Sequence, residues 1–338
     1  MACESTSVMT LRPPTPEGEA PSDAPVAPAI VIGIDAGGTY TRAAAATLDG
    51  RLVARSRKAG GNPRTVGTEA GRAELRAAVA ELRLAAPGRL LHVAIGSAGL
   101  VDPAPGEACR SWAQHLGAPA ATVDSDARIA HAAAFDHQPG IIVVAGTGSQ
   151  CLAFGPGGER VRVGGWGPTF GDEGSAYWIA RRAVATALAA LDRRELHPFA
   201  DALLDVAGVT SSPSLAARHE ALLDHLYEEG ATPARHATFA VHVAELADAG
   251  VGEAQALLDE AGRELADLAS TAAASSGATV VARAGSVLDE NVWVRSAFER
   301  HCLARGLDVL TGSWDPVVGA LRLALGAVGA SAAVDPAP

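Results

Sequence analysis

A strand–turn–strand unit that occurs twice constrains the fold of this chain more than any other feature. Residues 29–34 (AIVIGI) form a short apolar run rich in β-branched side chains, and the turn 35–39 leads into a second apolar run at 41–48. The pattern returns as the run 140–145 (GIIVVA) and the turn 146–149. Such runs predict buried strands, and a glycine-rich turn between them predicts a hairpin. Because the two hairpins are roughly 110 residues apart, far more than a solenoid repeat, they indicate two similar α/β domains facing each other across a cleft.

The remaining segments alternate between strand and helix patterns. Gly-turn hairpins are common, so on the hairpins alone chance similarity stays an open alternative. A helix is predicted at 68–84, strands at 90–96 and 120–123, and a helix at 127–135. Further helices are predicted at 175–191, 198–205, 214–227, 232–249, 252–276, 291–302 and 316–328, with strands at 279–282 and 307–310. This alternation is typical of a mainly α/β architecture.

The composition excludes several classes of protein. The formal net charge of the 338 residues is −11, whereas a nucleic-acid-binding surface is basic, so we expect no nucleic-acid partner. The four cysteines, Cys3, Cys109, Cys151 and Cys302, form no CxxC pair. Their scatter argues against a disulfide framework, a structural zinc site and an iron–sulfur cluster built within one chain.

The ends and apolar segments of the chain predict its location. Residues 1–28 contain prolines, acidic residues and hydroxyl side chains without the apolar core of a signal peptide. We expect a disordered tail at 1–28, too short to hold a DNA-binding domain. No later segment is an uncharged apolar span of ~20 residues, so we expect no transmembrane helix and no membrane partner. The cytoplasm is the expected location.

The first turn has the composition of a phosphate site. Gly37 and Gly38 let the backbone approach a ligand closely and present N–H groups to it, and Thr39 adds a hydroxyl. Asp35, at the end of a buried strand, can hold Mg²⁺ through water, because Mg²⁺ keeps part of its hydration shell. The turn 146–149 offers the same kinds of donor. The chain has neither a GxxxxGK[ST] phosphate loop nor a GxGxxG dinucleotide motif.

Two aspartates lie where a predicted strand ends and a helix begins. Asp124 and Asp126 could each act as general base toward a hydroxyl, or could cap the helix. We expect at most one of the two side chains to face a given ligand. The residues alone leave open which one it is, and leave the cap as an alternative for either.

The segment 164–175 (GGWGPTFGDEGS) is the densest in chemistry-bearing residues. Trp166 offers an aromatic face, and Asp172 and Glu173 can accept hydrogen bonds from hydroxyls, a combination that suits a sugar. The plain structural alternative is a glycine-rich turn that ends in a helix cap. That alternative does not account for the tryptophan and the two carboxylates together.

Several motifs make a family resemblance specific. AGTGS at 145–149, followed by GGWG and GDEGSAYWIA within 164–180, is similar to the N-acetylglucosamine kinase branch of the BadF/BadG/BcrA/BcrD ATPase family. That family belongs to the actin / sugar kinase / Hsp70 superfamily. DAGGTYT at 35–41, VDSDARIAHAA at 123–133 and ARAGSVLDEN at 282–291 resemble its first phosphate motif, its catalytic-aspartate segment and its adenosine segment.

The resemblance extends over residues 31–328 and implies a fold. That fold is α/β, with two actin-like (ribonuclease H-like) domains around a nucleotide- and sugar-binding cleft. The first domain would span 29–137, and the second, with a helical insertion, would span 138–315. The helix at 316–330 would return to pack on the first domain.

The resemblance also implies residue roles, carried over position by position. It gives Asp124 the role of general base, with Asp126 as the alternative, and it gives Asp35 the role of positioning Mg²⁺. The implied phosphate contacts are Gly37, Gly38, Thr39, Thr147 and Gly148, the adenosine contacts are Gly285, Ser286 and Gly319, and the sugar contacts are Asn62, Asp124, Gly165, Trp166, Asp172 and Glu173.

The activity that the resemblance implies is transfer of the ATP γ-phosphoryl group to the 6-hydroxyl of an amino sugar, with ATP and Mg²⁺ as cofactors and a homodimer as the assembly. N-acetylglucosamine is the expected acceptor, because an uncharged acetamide needs no carboxylate beyond Asp172 and Glu173. Glucosamine or another sugar is an alternative acceptor, and a non-catalytic, nucleotide-dependent sugar sensor is a second alternative. The scattered cysteines separate the chain from the iron–sulfur members of the family and from the zinc-binding ROK sugar kinases.

Overall fold

The computed structural model describes residues 27–38, 40–62, 68–100, 103–194, 197–206, 215–227 and 232–334. Ten strands of this part of the chain form two five-stranded sheets. The first sheet contains β1 (Ala29–Ala36), β2 (Tyr40–Thr47), β3 (Leu52–Ala59), β4 (Arg89–Ser97) and β5 (Ala121–Ser125). The second contains β6 (Gly140–Ala145), β7 (Ser149–Phe154), β8 (Arg160–Gly164), β9 (Val280–Ala284) and β10 (Asp308–Val309).

The two sheets have the same topology. Their strand orders are β3-β2-β1-β4-β5 and β8-β7-β6-β9-β10. In each sheet the first three strands in sequence form an antiparallel meander, and the last two are parallel to the strand that opens it. The predicted fold class, two similar α/β units, is therefore confirmed, and chance similarity of the hairpins is excluded.

The helices lie between and around the sheets. In chain order they are α1 (Thr68–Ala85), α2 (Gly106–Leu116), α3 (Asp126–Phe135), α4 (Ala176–Arg193), α5 (Pro198–Val206), α6 (Leu215–Tyr227), α7 (Pro233–His236), α8 (Phe239–Asp248), α9 (Gly252–Ser276), α10 (Ser286–Glu290), α11 (Val292–Ala304) and α12 (Pro316–Ala327).

Alternation along β1 separates the two faces of the first sheet. Ile32 lies on the face that packs against Leu75 of α1, and both side chains are buried. Val31 points to the other face and packs against Leu321 of α12. The first sheet is therefore covered on both faces, which explains why β1 is almost entirely apolar.

The middle layer consists of α3 and α12, and it connects the two sheets. Ala127 and Ala130 of α3 pack on Ile142 and Leu152 of the second sheet. The opposite face of that sheet is covered by α4, α8, α9 and α11. The result is a stack of helices, sheet, helices, sheet and helices, in which the first residues of α3 lie between the two sheets.

Two glycines allow the middle layer to pack closely. A Cβ at Gly33 of β1 would lie 2.5 Å from the Leu321 backbone nitrogen, so a side chain does not fit between β1 and α12. A Cβ at Gly319 of α12 would lie 1.8 Å from the Ile129 carbonyl oxygen of α3. Helix α12, formed by the end of the described chain, thus packs on the first sheet and on α3.

The structure differs from the sequence prediction in the helical region. One helix was predicted over 232–249, but the segment contains two, α7 and α8. The Thr238 hydroxyl donates to the Arg235 carbonyl oxygen at 2.7 Å, a local bond of the kind that competes with helix continuation. None of the described helices is long and apolar enough to cross a bilayer.

Candidate active site

The first hairpin places a buried carboxylate at the end of β1. Asp35 is opposite Arg42 in the β1–β2 ladder, and Arg42 Nη2 and Nε donate to Asp35 Oδ2 at 2.6 and 3.2 Å. Burial raises the pKa of Asp35, and the nearby Asp315 adds to this, although Arg42 opposes it. Among the described residues no donor reaches Oδ1 of Asp35, so one oxygen of this carboxylate is available to a ligand.

The segment after β3 folds over the glycine turn. Asn62 N donates to the Gly37 carbonyl oxygen at 3.2 Å, and a Cβ at Gly60 would lie 1.9 Å from the Gly38 carbonyl oxygen. Asn62 is buried. The residue expected to contact the sugar therefore lies directly beside the turn expected to contact phosphate, while Thr39 lies outside the described residues.

The second hairpin is attached to the beginning of α4. Ala176 N donates to the Gly146 carbonyl oxygen at 2.9 Å, and Tyr177 N donates to the Thr147 carbonyl oxygen at 3.2 Å. Ser175 caps the helix, and its side chain accepts from the backbone N–H of the third residue after it. The turn is thus fixed at the positive end of a helix, an environment that favours a phosphate group.

The glycine-rich loop before α4 packs on this hairpin through its acidic pair. A Cβ at Gly148 would lie 2.7 Å from Asp172 Oδ2, so the absence of a side chain lets the carboxylate approach the turn. Burial raises the pKa of Asp172, and the N–H groups of Ser149 and Gly167 oppose this by stabilising its charged form. Ser149 Oγ donates to the Glu173 carbonyl oxygen at 2.7 Å. Asp172 and Glu173 are therefore part of the same site as the second turn.

The same loop presents an aromatic side chain to solvent. Trp166 is 73% exposed, and the Arg162 guanidinium lies 5.5 Å from its ring centroid. Arg162 Nη2 donates to the Gly165 carbonyl oxygen at 2.6 Å, and Gly165 has φ +68°, a conformation that glycine adopts without strain. An exposed indole held by a neighbouring arginine offers a flat surface on which a sugar ring can stack.

The two aspartates at the end of β5 lie in different environments. Asp124 is buried and accepts two hydrogen bonds of 2.8 Å from Arg160, one at each carboxylate oxygen. Asp124 Oδ1 also accepts from Ser125 N at 2.6 Å. Because β5 and β8 are edge strands, this ion pair joins the edges of the two sheets and engages both oxygens of Asp124.

Asp126 is the first residue of α3, and it lies between the two hairpins. Ser125 caps the helix by accepting from Arg128 N, so the cap role considered for the aspartates is filled by serine. Gln150 Nε2, at the beginning of β7, donates to Asp126 Oδ1 at 2.6 Å. Burial raises the pKa of Asp126 to about 6, and the charge of Asp35 contributes. A carboxylate that titrates near neutral pH is suited to general-base catalysis.

A cavity of about 340 Å³ opens on the far side of the second hairpin. Thr147 and Ser286 line it near the turn, and Glu290 lines it further along α10. Gly285, the residue before α10, has φ +95°. A Cβ on Gly285 would lie 2.4 Å from the Ala145 carbonyl oxygen. Because this segment passes so close to β6, the expected adenosine contacts lie next to the second phosphate turn.

Gly319 lies apart from the other expected site residues. It is in the contact between α12 and α3 described above, and it is not among the residues that line the cavity. The requirement for glycine at this position is explained by helix packing, so the expected adenosine contact at Gly319 has no support in the geometry.

Sequence reasoning missed the cross-sheet partners Arg160 and Gln150. A signal for Arg160 was present, because residues 160–164 (RVRVG) alternate between charged and apolar, as in a strand with one buried face. No signal marks Gln150, whose role appears only when the two sheets are assembled.

The carboxylates between the hairpins fit a hydrated magnesium ion held jointly with phosphates. The described residues contain no group of three or more His, Cys, Asp or Glu side chains that could hold a metal directly. Asp35 nevertheless has one available oxygen, and its charge raises the pKa of Asp126, a repulsion that a divalent cation would relieve. Mg²⁺ commonly binds in this way, through one or two carboxylates, water and substrate phosphates.

Comparisons with known proteins agree with this arrangement. The sequence matches the BadF/BadG/BcrA/BcrD ATPase family over residues 32–324. It is 31% identical to an N-acetylmuramic acid/N-acetylglucosamine kinase from Clostridium acetobutylicum over 244 residues, which are 70% of this chain and 76% of that protein.

Solved structures resemble the fold over nearly their whole length. A proposed N-acetylglucosamine kinase from Chromobacterium violaceum is 28% identical, with a TM-score of 0.66 over 88% of this chain and 99% of that one. A ROK family glucokinase from Streptomyces griseus, solved with glucose and AMPPNP, is 19% identical, with a TM-score of 0.55 over 87% of this chain and 99% of that one. The second likeness shows the actin-like fold alone. Since the family match covers most of the chain and includes both hairpins, the protein belongs to the BadF/BadG/BcrA/BcrD ATPase family.

Proposed function

We propose that this protein transfers the γ-phosphoryl group of ATP to the 6-hydroxyl of N-acetylglucosamine. It is an ATP-dependent sugar kinase of the N-acetylglucosamine kinase type. The observation that carries the finer proposal is the position of Asp126, which is bonded to Gln150 of the second hairpin and lies within electrostatic reach of Asp35 of the first. A carboxylate in this position can take the proton of a hydroxyl that attacks the γ-phosphate of ATP.

The nucleotide would lie along the second hairpin. Thr147 and Gly148 would hold its phosphates from one side, and the turn of Gly37, Gly38 and Thr39 would hold them from the other. The adenosine would enter the cavity beside Ser286. In support, both turns bring glycine backbone close to other groups without room for a side chain, and the α4 N-terminus lies behind the second turn.

The general base in this proposal is Asp126, the alternative that the sequence left open, rather than Asp124. Both oxygens of Asp124 accept from Arg160 in the ion pair between the sheets, so this carboxylate is already occupied by a cation. Asp126 has no cationic partner among the described residues, and its pKa of about 6 lets it accept a proton at neutral pH. We therefore assign proton removal from the sugar hydroxyl to Asp126 and a positioning role to Asp124.

The sugar would lie between Asn62 and the loop before α4. Trp166 and Gly165 would contact its ring, and Asp172 and Glu173 would accept from its hydroxyls. N-acetylglucosamine remains the proposed acceptor, with glucosamine or another sugar as the alternative. The name of the C. acetobutylicum relative includes N-acetylmuramic acid, so that sugar belongs among those tested.

Mg²⁺ belongs to this proposal, and Asp35 would hold its water shell. When bound, the ion neutralises charge on the transferring phosphoryl group. The chain's own contribution is to keep Asp35 in place through Arg42 and to position the hydroxyl against Asp126. A homodimer located in the cytoplasm, without nucleic-acid or membrane partners, completes the proposal, and light scattering of the purified protein would measure the assembly.

The deciding experiment is an ATP-consumption assay across N-acetylglucosamine, glucosamine, N-acetylmuramic acid, glucose and N-acetylmannosamine. We expect N-acetylglucosamine to give the highest kcat/KM and its phosphate to be at the 6-position by NMR. A nucleotide-dependent sensor, the competing function, would bind sugar and ATP by calorimetry without forming a phosphorylated sugar. Absence of product with every sugar, in the presence of Mg²⁺, would overturn the kinase proposal.

A further inference from the structure

Among the described residues, a single carboxylate lines the cavity beside the second hairpin. Glu290, the last residue of α10, is the only Asp or Glu among the described residues that line it. The neighbouring Asp289 is differently engaged, because it accepts from Arg283 Nη1 at 3.0 Å and from Gly285 N at 3.1 Å. Asp289 therefore fixes the segment, whereas Glu290 faces the space that a ligand would fill.

A carboxylate here needs a specific donor on the ligand. A carboxylate only accepts hydrogen bonds, and next to a triphosphate it would repel the ligand unless it met a hydrogen-bond donor. A purine ribonucleotide carries donors in two places, the ribose hydroxyls near its phosphates and the exocyclic amine at its far end.

The distance along α10 from the second turn to Glu290 indicates which of these donors lies within reach. Ser286, at the beginning of α10, is next to the second turn, since a Cβ at Gly146 would lie 3.7 Å from Ser286 Oγ. Glu290 is four residues later, which is ~6 Å along the helix at ~1.5 Å per residue. A nucleotide with its phosphates at Thr147 places its ribose next and its base farthest from the turn, so Glu290 is at the level of the ribose.

The part of the cavity lined by α8 and α4 suits the base instead. It is lined by apolar residues of α8 and α4, among them Ala240, Ala244 and Ile179. Val241, an apolar residue that is 59% exposed, also lines it. A flat, apolar base would cover these side chains, which leaves the ribose to the polar side of the cavity.

Resting on the proposed function, which assigns this cavity to ATP, we propose that Glu290 accepts hydrogen bonds from the ribose hydroxyls and makes the protein select ribonucleotides over deoxyribonucleotides. A vicinal diol offers two donors to the two oxygens of one carboxylate. A nucleotide that lacks one hydroxyl would lose a charge-assisted bond and leave the carboxylate partly unpaired.

Calorimetric binding of ADP, 2′-deoxyADP and 3′-deoxyADP to the full chain tests this without requiring turnover. We expect the unsubstituted protein to bind ADP ~10-fold more tightly than at least one deoxy analogue, about 1.4 kcal/mol. In Glu290→Ala the three nucleotides should bind within ~2-fold of each other, since the bond no longer exists. Glu290→Gln should restore part of the preference, because its amide oxygen can accept one bond. Glu69→Ala, a substitution of an exposed glutamate in the first turn of α1, is the matched control and should behave like the unsubstituted protein.

Two results would overturn the inference. One is equal binding of ADP and both deoxy analogues by the unsubstituted protein, and the other is an unchanged preference in Glu290→Ala. A steady-state comparison of ATP with 2′-deoxyATP and 3′-deoxyATP, with N-acetylglucosamine as acceptor, separates this inference from the proposed function. If no sugar is phosphorylated but Glu290→Ala loses the ribose preference in calorimetry, the kinase proposal fails and the ribose site stands. If the sugar is phosphorylated equally well with all three nucleotides, the kinase proposal stands and the ribose site fails.

Discussion

The two hairpins are built on the same topology but carry different groups. In the first, the strand itself ends in a carboxylate, Asp35, which is paired with Arg42 across the hairpin. In the second, the strand ends in Ala145 and the turn contains no acidic residue. Its carboxylate, Asp172, comes from a loop later in the chain and reaches the turn because Gly148 has no side chain.

This difference shows how two halves of the same topology can carry different groups for one reaction. Strand order and turn backbone are shared, so each half can hold phosphate oxygens in the same manner. The acidic groups near the first turn, Asp35 and Asp126, influence each other and favour a cation and a proton acceptor. The second turn has Asp172 as its neighbouring carboxylate and is flanked by a helix N-terminus and a largely apolar cavity, which suit the nucleotide.

The strongest way to break this division is to remove the proton acceptor. Asp126→Asn should lower kcat by ~100- to 10,000-fold, the usual contribution of general-base catalysis. The substitution preserves shape and can still accept from Gln150, so we expect sugar and nucleotide binding to remain close to normal. Steady-state kinetics, together with calorimetric titration of N-acetylglucosamine, measure the two effects separately.

Asp124→Asn is the matched control for that experiment. It makes the same carboxylate-to-amide change two residues earlier, at a carboxylate that accepts hydrogen bonds from Arg160. We expect its kcat to fall far less than that of Asp126→Asn. If Asp124→Asn loses turnover while Asp126→Asn retains it, the base is Asp124, as the family resemblance first implied.

The hairpins could be predicted from sequence because their signals are local. An apolar run, a glycine turn and a second apolar run lie within about 20 residues, and that pattern alone specifies a hairpin. The same holds for α1, whose apolar residues recur at helical spacing. Short elements such as α10, with five residues, carry too little periodicity to be predicted.

The assignment of the base depended on contacts that sequence does not encode locally. Asp124 and Asp126 are two residues apart, the first near the end of β5 and the second at the start of α3. Their difference arises from Arg160 and Gln150, which belong to the second sheet and reach these carboxylates only when the sheets are stacked. The pKa of Asp126 likewise depends on burial between the sheets.

A second test removes charge from the carboxylate of the second half. Asp172→Asn should raise the KM for the sugar by ~10- to 100-fold, because a charged acceptor contributes ~1.5–3 kcal/mol and ~1.4 kcal/mol corresponds to tenfold. The KM for ATP should change little. Asparagine is preferred to alanine here because Asp172 has φ +58°, a conformation that asparagine tolerates and alanine does not.

Glu173→Gln is the control for that substitution, since Glu173 contacts the hairpin through its backbone carbonyl rather than its carboxylate. It should raise the KM for the sugar less than Asp172→Asn. An Asp172→Asn variant whose KM rises for ATP but not for the sugar would place Asp172 at the nucleotide instead.

The pH dependence of the reaction tests the proposed titration of Asp126 beside the first hairpin. The base acts when deprotonated, and the pKa of Asp126 is raised to about 6, so kcat/KM should fall as pH is lowered through about 6. Part of that rise is due to the negative charge of Asp35. Asp35→Asn removes the charge, so in the Mg²⁺-free protein the pKa of Asp126 should be lower than in the unsubstituted protein, as NMR titration of the Asp126 carboxyl would measure. An unchanged Asp126 pKa in that titration would mean that Asp35 does not influence the titrating group.

The smallest change in turnover is expected where the two halves are joined, because Asp124 and Arg160 hold the sheet edges together and neither is the proposed base. Removal of one partner of a buried ion pair typically costs ~3–5 kcal/mol of unfolding free energy, since it leaves a charge without its counterion. Asp124→Asn should cost more unfolding free energy than Arg160→Gln, because it leaves the positive charges of Arg160 and Arg128 facing each other. Burial is the largest effect on the pKa of Arg128 and lowers it. Asp124 raises that pKa, and Arg160 lowers it. The double substitution Asp124→Asn/Arg160→Gln should be less destabilised than the sum of the single ones. Urea unfolding of the four proteins completes the cycle, and strictly additive effects would show that the ion pair does not couple the two sheets.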